Sequence, residues 1–198
     1  LVQLSANIHL DDGEFGVFET GNLLTLLNAI DEDLTVDYQY HKNKLTGLIL
    51  KDKISNATYL LGDTSLDAFQ THNLKTSLPT FEVVIPLKKD LIDRFIKSRK
   101  SLSDCKIVAF LPEKDTCDVI INYDPNHGTN RITIPFLAET SGGFDVSAYN
   151  IDPIAKAFAA NSDFRDAKIS ISEKGLMEIS FKGEDYEVKY YLNKLQLD

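Results

Sequence analysis

The order of predicted strands and helices repeats along this chain, and this repeat constrains the fold more than any other feature of the sequence. In the C-terminal half, a strand at Phe81–Leu87 precedes a helix at Lys88–Lys100, in which apolar side chains recur at helical spacing. Three further strands complete the segment: Lys106–Phe110, Cys117–Tyr123 and Arg131–Phe136. This segment predicts one strand–helix–strand–strand–strand unit.

The same order then begins again. A short strand at Gly143–Ala148 leads to a helix at Pro153–Ala160, and we expect Asp152 to cap this helix and Pro153 to occupy its first position. Three more strands complete the second unit: Ala167–Ser172, Leu176–Lys182 and Tyr186–Leu192. The C-terminal half therefore contains the unit twice.

The N-terminal half contains the unit once. A strand at Phe15–Glu19 precedes a helix that Asn22 is predicted to cap, and leucines from Leu23 to Leu27 form its apolar face with Ile30. Three strands complete the unit: Thr35–Tyr40, Leu45–Leu50 and Ala57–Leu61. One strand, Val2–His9, precedes it, and we interpret this strand as the end of a further unit.

These units predict an α+β fold with two similar domains. A single unit is a small sheet that does not bury its apolar face alone, so we expect units to pair with their helices side by side. We predict a partial N-terminal domain at residues 1–62, a connector at residues 63–80 and a C-terminal domain at residues 81–198. Because the chain begins at Leu1 and its only methionine is Met177, we also expect a longer protein whose beginning is missing.

Charge is distributed unevenly along the chain. The formal net charge is −9, which by itself argues against a nucleic-acid partner. The helix at Lys88–Lys100 nevertheless holds six cations and only two carboxylates, a local charge of +4, so the remaining residues carry −13. A positive strip on an acidic body can still bind phosphates with one face.

The cations of the two C-terminal helices are therefore candidates for contact with phosphates. On a helical wheel, the apolar residues of the first helix share one side and its basic residues lie opposite. The candidate residues are Lys89, Arg94, Lys97 and Lys100 on this helix and Lys156 on the second. The alternative is a solvated helix face on which Asp90 and Asp93 form ion pairs with the cations four residues later.

The sequence contains no recognisable catalytic or cofactor-binding motif. It has no Gly-rich phosphate loop, no GxSxG and no HExxH, so we expect no enzymatic activity and no cofactor. The histidines are scattered without metal-ligand spacing, so no metal site is predicted. Cys105 and Cys117 are expected to be free thiols. No run of residues approaches the ~18 apolar positions of a membrane span, so no membrane partner is expected.

Several strings, in their order and spacing, resemble the DNA sliding clamps of T-even-type bacteriophages. They are GVFETGNLLTLLNAIDED, LIDRFIKSRKSL, DVSAYNIDPIAKAFAANSDF and AKISISEKGLMEISFKGEDYEVKYYL, and the resemblance extends in patches over residues 1–192. It implies a homotrimeric ring that encircles duplex DNA without reading its sequence, with helices lining the hole and sheets outside. It also implies a clamp loader, a DNA polymerase held through its C-terminal peptide, a role in late transcription, and the cytoplasm of the infected bacterial host.

The resemblance also implies positions for the contacts between subunits and with the polymerase. Edge strands would pair across subunits, so the expected interface residues are Tyr59, Leu61, Ile132 and Ile134. The expected pocket for the polymerase peptide consists of Leu66, Phe69, Leu74 and Leu192. The alternative for these apolar residues is that they hold the connector against the sheets.

Two other classes of protein fit the same sequence features. A β-rich structural or adhesion protein of a virion would also have repeated strands and an acidic surface. An enzyme whose site needs residues beyond the N-terminus is the second alternative. The direction of the cations of Lys88–Lys100 distinguishes them, because a clamp gathers these cations on one surface and an enzyme instead has a deep polar pocket.

Overall fold

The computed structural model describes residues 2–6, 15–30, 33–66, 77–102, 104–126, 128–142 and 145–197. These residues form two compact units: a C-terminal unit of residues 1–8 and 77–198, and an N-terminal unit of residues 9–76. The elements in chain order are β1 (Val2–Ala6), α1 (Thr20–Asn28), β2 (Thr35–His41), β3 (Lys44–Lys51), β4 (Asn56–Leu60), β5 (Val83–Pro86), α2 (Lys89–Ser101), β6 (Ile107–Pro112), β7 (Thr116–Ile121), β8 (Ile132–Leu137), β9 (Glu139–Thr140), β10 (Ser147–Asn150), α3 (Ile151–Ala160), β11 (Asp166–Ile171), β12 (Leu176–Lys182) and β13 (Tyr186–Asn193).

The C-terminal unit confirms the predicted α+β class and the repeat. Its first repeat is β5-α2-β6-β7-β8, its second is β10-α3-β11-β12-β13, and the short β9 lies between them. The strands form one six-stranded sheet, in the order β1-β13-β12-β11-β5-β9, and one four-stranded sheet, β10-β6-β7-β8. All the pairs are antiparallel.

The two repeats of the C-terminal unit exchange their first strands. Strand β5 of the first repeat pairs with β11 of the second, and β10 of the second repeat pairs with β6 of the first. Each repeat therefore completes the sheet of the other. This reciprocal pairing explains why one repeat does not make a closed domain by itself.

A single apolar core joins both helices to both sheets of the C-terminal unit. Phe158 of α3 lies edge-on to Phe95 of α2, with ring centroids 5.1 Å apart, and also contacts Phe181 of β12 at 6.2 Å. All three rings are buried. Burial of each such side chain contributes about 1.5–3 kcal/mol, so this aromatic cluster fixes the helix pair on the sheets.

The helix caps differ from the predicted ones by a few residues. Helix α3 is capped by Asn150, whose side-chain oxygen accepts the N–H of Asp152 at 3.0 Å, so Asp152 is not the cap. Pro153 consequently lies within the first turn, where its missing N–H leaves no bond unmade. Helix α1 begins after Glu19, and Asn22 lies inside it and donates to the Glu19 carboxylate.

Strand β1 lies in a different unit from the predicted one. We expected Val2–His9 to end a repeat of the N-terminal domain, but β1 pairs with β13 at the edge of the six-stranded sheet, in the register Gln3 to Lys189. Residues 7–9 lie outside the described part of the chain. The pairing satisfies the edge of β13, which would otherwise present unpaired N–H and C=O groups.

The described residues of the N-terminal unit form α1 and one three-stranded sheet, β2-β3-β4. The predicted strand Phe15–Glu19 is wrong as a strand, because it forms only a single bridge between Gly16 and Gly62. A Cβ on Gly16 would lie 2.5 Å from the Gly62 carbonyl oxygen, so this close approach requires glycine. In the C-terminal unit the equivalent strand joins the sheet of the other repeat, and the described N-terminal unit has no second repeat to pair with.

Candidate nucleic-acid interface

Helix α2 presents its basic residues to solvent along its whole length. Ile92, Phe95 and Ser98 are buried, and the opposite side of the helix carries exposed cations. These exposed cations are Lys89, Arg94, Lys97 and Lys100. From the first to the last they span about 16 Å at the helical rise of 1.5 Å per residue, which is the length of several phosphates on one DNA strand.

The cations of this exposed face share it with two carboxylates, Asp90 and Asp93, which are exposed as well. Within the described residues, none of the four forms an ion pair, so the alternative pairs of Asp90 with Arg94 and Asp93 with Lys97 are not made. Arg99 is different, because it lies at the side of the helix and binds Asp152 of α3. The four exposed cations therefore remain available to an external anion.

Helix α3 lies beside α2 and turns its polar side to the same solvent. The helices are joined by the Arg99–Asp152 ion pair and by the Phe95–Phe158 ring contact. Both bury one face in the common core, so their exposed sides form one surface, on which Lys156 is the cation that α3 contributes. We call this surface the helix face: the exposed residues of α2 and α3.

The helix face is positive although the chain is acidic. Within its bounds α2 carries five cations and two carboxylates, for a charge of +3, and the single Lys and Asp of α3 cancel. The net charge of the whole chain is −9. Lys168 and Lys182 are also exposed, but they alternate with core residues on β11 and β12 and so lie on the sheet side away from the helices. They provide matched positions for control substitutions.

The predicted interface residues lie on the predicted edge strands, but mostly point into the cores. Ile134 is 3% exposed, and Ile132 packs against the same core. Tyr59 is buried and donates its hydroxyl to the Glu19 carbonyl oxygen at 3.2 Å, and Leu61 is half-buried just after β4. These four residues therefore pack mainly within their own units. Other residues of the same strands carry the exposed side chains.

Among the described residues, no strand pairs with the outer edge of β4 or of β8, and each of these strands exposes one large apolar side chain. Leu60 of β4 is 72% exposed and Leu137 of β8 is 67% exposed. Ala138 donates to the Asp115 carbonyl, so by alternation Thr133, Pro135 and Leu137 direct their backbone groups away from β7. Pro135 supplies no N–H there, so this edge of β8 has one donor fewer than a regular strand. The sequence prediction selected neighbouring positions instead, because Leu60 lies between the predicted Tyr59 and Leu61, and Leu137 follows the predicted strand Arg131–Phe136.

Of the four residues predicted to form the peptide pocket, the structure describes Leu66 and Leu192. Leu66 is exposed, Leu192 packs against the core of the C-terminal unit, and Phe69 and Leu74 lie outside the described residues. A different apolar surface lies on the outer side of the four-stranded sheet, where Ala109, Ile120 and Ala148 are buried beneath partly exposed neighbours. Two grooves of about 700 and 680 Å³ meet there and share Tyr123 and Val146.

The residue types that bind metals or react with oxidants were located in the described part of the chain. No group of three or more His, Cys, Asp or Glu side chains is placed to hold a metal ion among the described residues. Cys105 and Cys117 are free cysteines, and both are buried. Burial raises the pKa of the Cys117 thiol to about 12, with the nearby Asp118 carboxylate adding to the shift. None of the described helices combines the length and the apolar character that a membrane span requires.

Comparison with known proteins identifies the fold. No protein-family model matches the sequence, and no curated protein sequence matches it significantly. The structure is similar to the crystal structure of Proliferating Cellular Nuclear Antigen from Entamoeba histolytica, with a TM-score of 0.63 and 14% sequence identity. The similarity covers 88% of this chain and 69% of that chain. The chain therefore has the α+β fold of DNA clamps.

Proposed function

We propose that this chain is a subunit of a DNA sliding clamp of the T-even bacteriophage type, which encircles duplex DNA and tethers a DNA polymerase. The observation that carries the proposal is the helix face, where exposed cations without carboxylate partners lie on one side of a DNA-clamp fold. We assign no catalytic step and no cofactor to the chain. The phage host cytoplasm, the clamp loader and the role in late transcription belong to the same proposal.

The chemistry of the helix face suits a protein that slides. Lysine and arginine side chains balance phosphate charge through long-range and water-mediated contacts, which do not depend on base sequence. The residues proposed to face DNA are Lys89, Arg94, Lys97, Lys100 and Lys156. The acidic remainder of the chain repels phosphates, so duplex DNA is directed to this face and not to the outer sheets.

Pairing of β4 with β8 of a neighbouring copy is the proposed contact between subunits. The hairpin that precedes β4 is closed by a backbone hydrogen bond from Asp52 to Ser55, and the hairpin that precedes β13 is closed by the same kind of bond from Gly183 to Tyr186. Strand β4 therefore occupies the position in its repeat that β13 occupies in the second repeat of the C-terminal unit. Because β13 is paired along its edge by β1, the open edge of β4 is the natural place for a strand of another copy.

Side-chain contact contributes to this proposed interface as well as hydrogen bonding. Leu60 and Leu137 provide exposed apolar surface at the two edges, and Pro135 removes one inter-strand donor. A groove of about 620 Å³ beside β4, lined by Phe18, Leu26 and Tyr59 among others, offers further space for the neighbouring copy. We therefore propose Leu60 and Leu137 in place of Ile132 and Ile134 as the side chains that meet across subunits.

The polymerase peptide is proposed to dock on the outer side of the four-stranded sheet. The two grooves that share Tyr123 and Val146 supply an apolar floor next to β10, an edge strand of that sheet. The segment after β13 already reaches this edge, because Leu195 donates to the Ala148 carbonyl oxygen at 2.8 Å. An extended apolar peptide can use the same combination of strand edge and apolar pocket.

Retention on DNA of different topology tests the proposed function. The chain, incubated with its loader, would be applied to nicked circular DNA and to the same DNA cut once, followed by gel filtration at 150 mM salt. A ring that encircles the duplex stays with the circles and leaves the linear DNA through its ends. Equal retention on both forms, or none on either, would refute encirclement.

A further inference from the structure

The ion pair of Arg99 and Asp152 joins helices α2 and α3 at the place where both meet solvent. Nη2 of Arg99 donates to Oδ1 of Asp152, and the two side chains remain 36% and 55% exposed. The ring contact of Phe95 with Phe158 lies one turn earlier on α2 and further along α3, so the two helices run in opposite directions. The ion pair therefore connects the end of α2 to the start of α3, at the junction of the two helices on the helix face.

The geometry of this ion pair leaves much of the binding capacity of Arg99 unused. A guanidinium has five donors, and its strongest contacts with a carboxylate or a phosphate use two parallel hydrogen bonds. The contact with Asp152 uses one nitrogen and one oxygen, and the buried Nε–H of Arg99 has no acceptor among the residues that the structure describes. Because a partly exposed pair of this kind contributes little to stability, Asp152 holds Arg99 only weakly, and an external anion can compete for the terminal nitrogens of Arg99.

Asp152 also determines the charge that α3 contributes to the helix face. It is the one carboxylate of α3, and Lys156 is the one cation of that helix. In the described part of the chain Lys156 forms no ion pair, so the carboxylate of Asp152 is directed to Arg99. A phosphate that took Arg99 from Asp152 would leave this carboxylate unpaired beside the DNA backbone, where like charges repel. Arg99 therefore contributes little to phosphate binding while Asp152 is present.

We propose that Asp152 masks Arg99 and so weakens the hold of the helix face on the DNA backbone. This inference rests on the proposed function, because it names the residue that sets how tightly the proposed DNA-binding surface holds phosphates. A protein that slides needs contacts that exchange readily between successive phosphates, and masking withholds an arginine, whose planar fork binds phosphate more firmly than an ammonium group does. The cations left unmasked are mainly lysines: Lys89, Arg94, Lys97, Lys100 and Lys156.

Asp152→Asn tests this role, because it frees Arg99 and keeps nearly the same side-chain shape. Fluorescence anisotropy of a labelled duplex, titrated with the full chain at a series of salt concentrations, gives the slope of log K against log salt. One additional cation on one phosphate is expected to steepen this slope by about 0.9, which changes the affinity relative to the unaltered chain by about 3.5-fold over a fourfold range of salt. Adding Arg99→Gln to Asp152→Asn is expected to abolish the increase, because the freed cation is then absent. Asp152→Ser, which also removes the carboxylate, gives the same test through a different side chain.

Asp166→Asn is the matched control for the loss of one negative charge. Asp166 is exposed at the start of β11, where alternation places it with Lys168 on the sheet side away from the helices, so its substitution is expected to leave the slope unchanged. Urea titration confirms that each variant is folded. An equal increase in the Asp152 and Asp166 variants would overturn the inference, as would an increase that persists after Arg99→Gln is added. An unchanged slope in Asp152→Asn, with normal binding by the unaltered chain, would overturn this inference alone, whereas absence of duplex binding by the unaltered chain would overturn the proposed function with it.

Discussion

Neutralising the centre of the helix face should weaken DNA binding and lower its dependence on salt. The variant is Arg94→Gln with Lys97→Gln, which removes two exposed cations without removing any ion pair in the described structure. Each phosphate neutralised by a protein contributes about 0.9 to the slope of log K against log salt, so the slope should fall by about 2. Because exposed substitutions usually change stability by less than about 0.5 kcal/mol, the variant should remain folded.

The assay is fluorescence anisotropy of a labelled duplex titrated with the chain at a series of salt concentrations. A change of about 2 in slope corresponds to a difference of roughly tenfold in relative affinity over a fourfold range of salt. The matched control is Lys168→Gln with Lys182→Gln, which removes the same charge from the sheet side away from the helices. Equal loss of slope in both double variants would refute the assignment, because it would mean that overall charge governs binding.

Three further predictions concern the stability of the C-terminal unit. Asn150→Ala removes the side-chain cap of α3 and should lower the free energy of unfolding by about 0.5–2 kcal/mol in urea titration; no change would contradict the cap. Phe158→Ala should cost about 3–5 kcal/mol, since Phe158 is buried between α2 and β12; a loss below 1 kcal/mol would contradict that packing. Burial raises the pKa of the Tyr191 hydroxyl to about 12, and the Glu178 carboxylate adds to the shift. The contribution of this hydroxyl to stability should therefore be complete below pH 10 and be lost as the pH rises through 12. A Tyr191→Phe variant should lose less stability over that pH interval.

Regular elements were predictable where the residues alternate between core and solvent. Strand β12 begins and ends at the predicted residues, because Met177, Ile179 and Phe181 face the core and alternate with polar neighbours. Helix α2 was predicted to within one residue from its apolar spacing. These periodicities are properties of the local sequence, so they can be read without knowing which element packs against the strand or helix.

Features that depend on a distant partner were not predictable. The segment Phe15–Glu19 has strand-like composition, but a strand needs a neighbouring sheet edge, and the described unit offers it one bridge. Similarly, β1 pairs with β13, which lies almost the whole chain away. The cap of α3 was misplaced because Asp152 followed by Pro153 also has the pattern of a helix start, and the cap of α1 was misplaced because Glu19 is not among the residues that usually cap helices.

The candidate site was predictable in its charges and not in its apolar surfaces. The exposed position of Lys89, Arg94, Lys97 and Lys100 follows from one helical wheel, since Ile92 and Phe95 define the opposite side. The exposed leucines at strand ends and the grooves around Tyr123 depend on which face of a sheet is left uncovered, and that is decided by packing. Ile134 is buried and Leu137 is exposed, although both side chains are apolar and of similar size, because they lie on opposite sides of the same strand.

Site-specific photocrosslinking to DNA tests the central claim that duplex DNA lies against the helix face. A benzophenone maleimide would be attached at Lys97→Cys or at Lys168→Cys, with the two native cysteines buried in the folded chain. After illumination in the presence of a loader and nicked circular duplex, the probe at position 97 should attach to DNA and the probe at position 168 should not. Attachment from position 168 with none from position 97 would contradict the account.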